Sequence, residues 1–185
     1  MAVFLYFCPI KTKCLNMQQN ITKSAKFNGL IVGVLLSLKF ILSAQKLNFM
    51  AFLALFISIF IIVALYRMAI RFRDLECGGS IKYKQALLYI FLIYVFGSII
   101  SAFVILLYTS FIDKSYLGSQ FNVLMKIYDS MKMTFDDKSF KALEYLYTVP
   151  APYALLNVFA GILSGGFWGL ILAGFIKKEK SIFEE

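Results

Sequence analysis

The chain has 185 residues, of which 61% are hydrophobic and 17% aromatic, and its 19 Lys and Arg against 10 Asp and Glu give a net charge of +9. A soluble domain holds only about 45–50% apolar residues, so this composition excludes a soluble globular protein and indicates an integral membrane protein. Because the chain is too short for a membrane bundle plus a separate soluble domain, we expect one domain over residues 1–185.

Four apolar stretches follow one another along the chain, each near or above the roughly 20 residues that a helix needs to cross a bilayer. Backbone polar groups find no water inside lipid, and these stretches lack the alternation of barrel strands, so each must be a helix. The sequence therefore predicts an all-α integral membrane protein with spans at residues 27–44, 47–66, 86–108 and 153–176.

The third and fourth spans are separated by a long amphipathic loop, residues 109–152. Apolar residues recur at helical spacing in "SQFNVLMKIYDSMKM", which Ser119 could cap, and again in "DDKSFKALEYLY". We expect two helices that lie on the bilayer or cap the bundle, and a partner or ligand surface is the alternative. The following "VPAP" ends the second helix and redirects the chain into the fourth span.

The distribution of Lys and Arg predicts the orientation of the chain. Residues 11–26, 67–84 and 177–180 are rich in these residues and fall on one side of the membrane, whereas the lysines of the long loop are matched by acids. By the positive-inside rule both termini are cytoplasmic and the loop is outside. We attribute the net charge to anchoring at anionic headgroups, and we expect no nucleic acid partner.

One charge and four tyrosines are expected near the outer membrane surface. Lys39 is the only charged residue inside a predicted span, where its side chain either snorkels to the interface, pairs with a loop acid or meets a lipid phosphate. The tyrosines should form an aromatic belt at the same surface. They are Tyr108, Tyr145, Tyr147 and Tyr153.

Reaction chemistry has little support in this sequence. There is no histidine, and no predicted span contains Asp or Glu, so the usual general bases and proton relays are missing. We therefore expect no cofactor and no enzyme activity. Cys8, Cys14 and Cys77 lack zinc-ligand spacing and should stay reduced, so we also expect no disulfide and no metal.

A pore would need a polar stripe along at least one span. The polar residues of the spans look too scattered along the sequence to supply it. They are Ser37, Ser98, Ser101, Asn157 and Ser164.

Two spans carry stripes of small residues at four-residue steps. The fourth span has Gly161, Gly165 and Gly169, and the first has Gly29 and Gly33. Small residues let membrane helices approach closely, so we expect these stripes to be helix contacts. The stripes leave open whether the contact lies within the chain or between two copies.

The connection between the second and third spans concentrates both charge and glycine. Taken as a helix, the second span continues past its apolar part, with Arg73 pairing with Glu76 at i, i+3, until the glycines stop it and Ser80 caps the next helix. The candidate residues for a lipid or partner contact are Arg67, Arg71, Arg73, Asp74, Glu76, Gly78 and Gly79.

The same connection carries a family resemblance. The run Arg71-x-Arg73-Asp74-x-Glu76-x-Gly78-Gly79-x-Ile81-x-Tyr83-x-x-Ala86 resembles the signature of family number 4199 in the domain-of-unknown-function series, small four-span membrane proteins of Bacteroidetes-type bacteria. The similarity covers about Met17 to Lys178. It implies a four-helix architecture and a multi-pass location in the bacterial inner membrane, and it carries no activity. The residues before Met17 depart from the pattern, so either Met1 or Met17 is the start.

These patterns favour a non-enzymatic accessory or scaffold subunit of an envelope or lipid-linked-glycan system, because they offer packing and anchoring features but no reactive group. The alternative is a small oligomeric transporter or pore. The expected partners are membrane lipids, with either a membrane enzyme or a second copy of the chain.

Overall fold

In a computed structural model of the protein, residues 8–45, 48–131 and 136–178 are described, with the backbone alone at residues 8–20, 48 and 51. These residues form six α-helices and a π-helical turn, Tyr108–Ile112, which extends the third helix. The helices are α1 (Cys8–Ala44), α2 (Asn48–Glu76), α3 (Tyr83–Leu107), α4 (Tyr116–Met131), α5 (Asp137–Thr148) and α6 (Pro150–Ile176).

Four of these helices are long and apolar enough to cross a membrane, as judged by length and composition. Their candidate spans are Ile21–Ala44, Phe52–Glu76, Tyr83–Ile112 and Pro150–Ile176, so the predicted all-α class with four spans is confirmed. Large apolar side chains on the outside of these helices are exposed, as lipid contact requires. We call the end of the bundle that holds residues 67–84 the arginine end, and the end that holds α4 and α5 the loop end.

Two sequence predictions concern residues outside the described part of the chain. The choice between Met1 and Met17 as the start concerns residues before Met17, of which residues 1–7 are not described and the others are described by their backbone alone. This choice stays a prediction. Lys46 also lies outside the described ranges, between the predicted spans at residues 27–44 and 47–66.

The third helix, α3, is the centre of the bundle. Of the apolar stretch of each candidate span, 44% of the residues are buried in α3, compared with 22% to 28% in the other three. It packs against α1 on one side and α6 on the other, whereas α2 contacts mainly α1. The two partners of α3 are therefore the helices that carry the glycine stripes.

The glycines of α1 bring its backbone against that of α3. A β-carbon at Gly29 would lie 2.7 Å from Cβ of Phe96, and one at Gly33 would lie 2.8 Å from Cβ of Ile100. Gly97 of α3 lies in the same contact, because a β-carbon there would lie 3.2 Å from the backbone nitrogen of Gly33. At Gly29 and Gly33 only hydrogen permits this approach, and at Gly97 a β-carbon would be tightly placed.

The glycines of α6 meet α3 on its other side. A β-carbon at Gly161 would lie 2.5 Å from Cβ of Ser98, and one at Gly165 would collide with Cβ of Tyr94. Gly169 leaves more room, since a β-carbon there would lie 3.1 Å from the end of the Leu87 side chain. Both stripes thus lie in contacts within the chain.

A buried polar group joins α1 to α3 near the arginine end. The hydroxyl of Tyr89 accepts a hydrogen bond from the side-chain amide of Asn28 at 2.5 Å, and it lies 3.3 Å from the hydroxyl of Ser24. The Tyr89 ring stacks on Phe72 of α2, with centroids 4.1 Å apart. One tyrosine therefore fixes three helices relative to one another.

Aromatic side chains close the bundle at the loop end. Tyr108, Tyr116 and Tyr153 are buried, and the ring centroids of Phe40 and Tyr116 are 5.5 Å apart. The predicted aromatic belt is wrong for Tyr108 and Tyr153, because their rings face the rings of Phe40, Tyr116 and Tyr147 instead of the membrane surface. Tyr145, in contrast, is exposed. We call Phe40, Tyr108, Tyr116, Tyr147 and Tyr153 the aromatic cap.

The two amphipathic helices of the loop are present as α4 and α5, and their start residues differ from the prediction at one point. Helix α4 begins at Tyr116, so Ser119 lies inside it and donates its hydroxyl proton to the carbonyl of Tyr116 at 2.6 Å. The buried Tyr116 and Leu117 draw the helix start toward the bundle. Helix α5 begins at Asp137, where an acid is favoured by the helix dipole.

We expect Gly165→Ala to destabilise the protein, because the added methyl group would overlap Cβ of Tyr94, an atom that cannot move without the α3 backbone. Overpacking of this kind costs about 1–3 kcal/mol. Gly174→Ala is the matched control in the same helix, since nothing lies within 4 Å of a β-carbon there. Thermal unfolding in mild detergent would show the difference, and equal melting temperatures for the two variants would refute the contact.

Candidate functional site

Helix α2 continues well beyond its apolar part and ends at the glycine pair. Gly78 and Gly79 have φ angles of +63° and +80°, which L side chains rarely adopt, and the Gly79 amide donates a hydrogen bond to the carbonyl of Arg73 at 3.0 Å. The predicted stop at these glycines is present in the structure. The chain therefore reverses direction within a few residues, at a fixed angle.

The segment after the turn is tied to the end of α6. Ile81 and Lys178 exchange two backbone hydrogen bonds, at 3.0 Å and 3.1 Å, in an antiparallel bridge. Ile81 is only 2% exposed, so its side chain anchors the same contact in the core. Because this stretch is extended, the predicted cap at Ser80 is wrong, and Lys82 occupies the N-cap position of α3 instead.

Arg73 links the end of α2 to the end of α6. Its Nη1 donates to the carbonyl of Ile176 at 3.3 Å, one of the carbonyls that a helix end leaves without a partner. Its Nε donates to the Asp74 carboxylate at 2.8 Å. The predicted pair with Glu76 is wrong, because Arg73 turns toward α6 and its neighbour Asp74 reaches the guanidinium, whereas Glu76 is exposed.

The remaining charged side chains of this region project from the end of α2 and the start of α3, on either side of the turn. We call the exposed Arg67, Arg71, Glu76, Lys82 and Lys84 the charged platform. Four of the five are cationic, and the backbone beneath them is held by the glycine turn, the bridge and the Arg73 contacts. The candidate contact residues named from the sequence therefore divide into residues that build the turn (Arg73, Asp74, Gly78 and Gly79) and residues that are free to meet a partner (Arg67, Arg71 and Glu76).

A cysteine lies within the turn itself. Cys77 is a half-buried free thiol, and burial raises its pKa above the usual value, with a further rise from the Glu76 carboxylate. Within the described ranges, no three Cys, Asp or Glu side chains come close enough together to hold a metal ion. A thiol of raised pKa is mostly protonated at neutral pH and is a weak nucleophile.

The structure also brings together polar residues that looked scattered in sequence. Ser98, Ser101, Asn157 and Ser164 all line one cavity between the membrane helices, with a volume of about 510 Å³. The prediction that they are too scattered for the stripe of a pore stays a prediction. Ser37 lies elsewhere and donates to the carbonyl of Gly33.

Helical spacing was the signal that could have revealed this grouping. Tyr94, Ser98 and Ser101 recur on one face of α3, and Asn157 and Ser164 recur on one face of α6. The sequence alone did not show that these two faces meet.

A comparison with known protein families gives a match. A family model described as "Protein of unknown function (DUF4199)" matches residues 28–178, which include the glycine turn, the charged platform and all four candidate spans except the first residues of α1. No curated protein and no solved structure matches the chain.

We expect Cys77 to react with a small alkylating reagent only at a pH above the midpoint of a free thiol, because its thiolate is disfavoured by burial and by Glu76. The rate would be measured against pH in detergent micelles, in protein carrying Cys8→Ser and Cys14→Ser. Glu76→Gln removes one of the two causes and should shift the midpoint downward. A midpoint at or below that of N-acetylcysteine would contradict this environment.

Proposed function

The chain belongs to the family described as "Protein of unknown function (DUF4199)", and we propose that it is a non-enzymatic accessory or scaffold subunit of a bacterial envelope or lipid-linked-glycan system. The observation that supports this proposal is the charged platform, which lies on either side of the glycine turn. A scaffold subunit needs a stable membrane frame and a fixed surface for its partner, and both features are present.

Membrane anchoring alone does not account for the construction of this turn. Lys and Arg that only anchor a protein need positive charge, and a loose connection would hold them equally well. Here Gly78, Gly79 and Arg73 fix the backbone, while Arg71 and Glu76 remain exposed. A mixed pair of charges on fixed backbone suits recognition of a partner surface, since ordering costs less when the surface is already organised.

The partner that fits the platform is a membrane enzyme with carboxylates at its membrane-facing edge. Four cations against one acid favour an acidic surface, and the exposed Arg67 and Arg71 can each bind a carboxylate through two parallel hydrogen bonds. The apolar sides of the bundle would meanwhile contact lipid or the membrane helices of the same enzyme.

Location and orientation complete the proposal. We place the chain in the bacterial inner membrane, with both termini and the arginine end on the cytoplasmic side. The support is the concentration of Lys and Arg at residues 67–84 and 177–178, against the mixed charges of α4 and α5 at the other end.

A small oligomeric transporter or pore is the second candidate. The observation that favours it is the polar cavity, which holds Lys39 and several hydroxyl groups at membrane depth. Purification separates the two candidates, because a scaffold should be recovered in fixed ratio with an enzyme, whereas a transporter should be recovered as a homo-oligomer alone.

We expect Arg71→Lys to lower recovery of the partner about tenfold in pull-down from mild detergent, because lysine keeps the charge but loses the bidentate fork. Arg71 is the right position because it is exposed, whereas Arg73 also holds the turn. Lys141→Arg, exposed on α5 at the opposite end, is the control for expression. Unchanged recovery with Arg71→Lys would reduce the platform to a topology anchor.

The orientation is tested by introduced cysteines in protein whose native cysteines are replaced by serine. In spheroplasts, Asp137→Cys should react with a membrane-impermeant maleimide, and Lys82→Cys should react only after lysis. Both positions are exposed in the structure, so access is decided by the membrane and not by folding. The reverse pattern would invert the topology and move the platform to the outer face.

A further inference from the structure

The polar cavity runs from the loop end past the middle of the bundle, and its described lining includes no residue of the charged platform. The helices α1, α2, α3 and α6 all line it, and Tyr116 of α4 closes it at the loop end. Along α6 the lining runs from Tyr153 to Trp168, a distance of about 22 Å at 1.5 Å per residue. The cavity is therefore long, and it extends from near the membrane surface toward the membrane interior.

Lys39 gives this cavity a positive charge. Its side chain is half-buried, and within the described ranges it forms no ion pair and no hydrogen bond. The described lining contains no Asp or Glu. A lone ammonium at this depth is costly unless water or an anion meets it, so the cavity is suited to a negatively charged group.

Hydroxyl groups in the same cavity add to the same preference. Ser43, Ser101 and Ser164 line the cavity and make no hydrogen bond within the described part of the chain, so their protons are available to a ligand. Asn157 donates one amide proton to the carbonyl of Tyr153 and keeps its second. One ammonium with several neutral donors is the combination that phosphate oxygens accept.

The route into the cavity favours a ligand that comes from the bilayer. The aromatic cap covers part of the loop end, since Tyr116 and Tyr153 are buried there. Ala160 and Ser164 line the cavity and are exposed within the candidate span of α6, and Ser43 of α1 is an exposed lining residue near the loop end. The cavity is therefore accessible at membrane depth along α6 as well as beside Ser43. Apolar lining such as Ile61 and Trp168 continues inward from the polar part.

From this geometry we infer that the cavity binds a phosphate-bearing amphiphile, with the phosphate group at Lys39 and the apolar chain extending along α6 toward Trp168. The volume of about 510 Å³ is within the range of small-molecule sites and exceeds what a bare phosphate needs. The site is separate from the charged platform and does not depend on a partner protein.

Trp168 is the only tryptophan of the chain and lines the cavity, so its fluorescence reports on occupancy. The protein would be reconstituted in phosphatidylcholine vesicles and titrated with phosphatidic acid whose acyl chains carry bromine, a contact quencher. We expect brominated phosphatidic acid to quench Trp168 at least about fivefold more effectively than brominated phosphatidylcholine, and Lys39→Gln to abolish that preference.

The controls separate a site from general attraction to anionic lipid. Lys114→Gln removes the same charge from an exposed position at the loop end and should leave the preference intact. Lys39→Arg keeps a cation in the cavity and should retain most of it. Circular dichroism and the melting temperature of each variant would show that the bundle is folded. Equal quenching by both lipids in folded protein, or a preference that survives Lys39→Gln, would overturn the inference.

A final arm identifies the source of the phosphate. Inorganic phosphate would be added to vesicles of phosphatidylcholine with brominated phosphatidic acid. Quenching that persists assigns the site to a membrane lipid, and relief of quenching by millimolar phosphate assigns it to the phosphate group alone, provided that Lys39→Gln removes the effect in either case.

Discussion

The close approach of two helices to α3 is the constraint on which the rest of this structure depends. Gly29, Gly33 and Gly97 bring α1 against α3 on one side, and Gly161 and Gly165 bring α6 against it on the other. In lipid there is little hydrophobic force between helices, so close van der Waals packing has to hold the bundle together. Because α1 and α6 occupy these two faces of α3, the remaining span, α2, packs mainly on α1, and a cavity is left between the four helices.

The two ends of the bundle are finished by different means. At the arginine end the backbone is tied directly, through the bridge from Ile81 to Lys178 and the hydrogen bond from Arg73 to Ile176, so charged side chains stand on a fixed base. At the loop end, rings from α1, α4 and α6 pack edge to face around Tyr116, which closes the interior without burying a charge. One end thus presents a surface, and the other encloses a space.

The features that could be predicted from sequence are those that depend on one segment at a time. A span needs about 20 apolar residues, and a helix stop of this kind needs positive φ. The four spans and the turn at Gly78 and Gly79 could therefore be predicted from the sequence. Pairings between distant segments were not. Arg73 meets Ile176 because α2 lies beside α6, and Ser98 faces the same cavity as Asn157 only because Gly161 sets the rotation of α6 against α3. The prediction of an aromatic belt failed at Tyr108 and Tyr153 for the same reason, since tyrosine suits both a membrane interface and a buried ring cluster.

The order in which the spans are synthesised gives the glycine contacts a role during biogenesis. Helix α3 enters the membrane before α6 has been translated, and at that stage the face of α3 that will meet Gly161 and Gly165 is open to lipid, with Ser98 and Ser101 on it. Serine hydroxyls bonded to their own helix, as Ser98 is to the carbonyl of Val95, tolerate that interval. The nascent bundle is thus incomplete until its last span docks, and a chain that stalls within the loop leaves this face of α3, with Tyr94 and Ser98 on it, exposed to lipid.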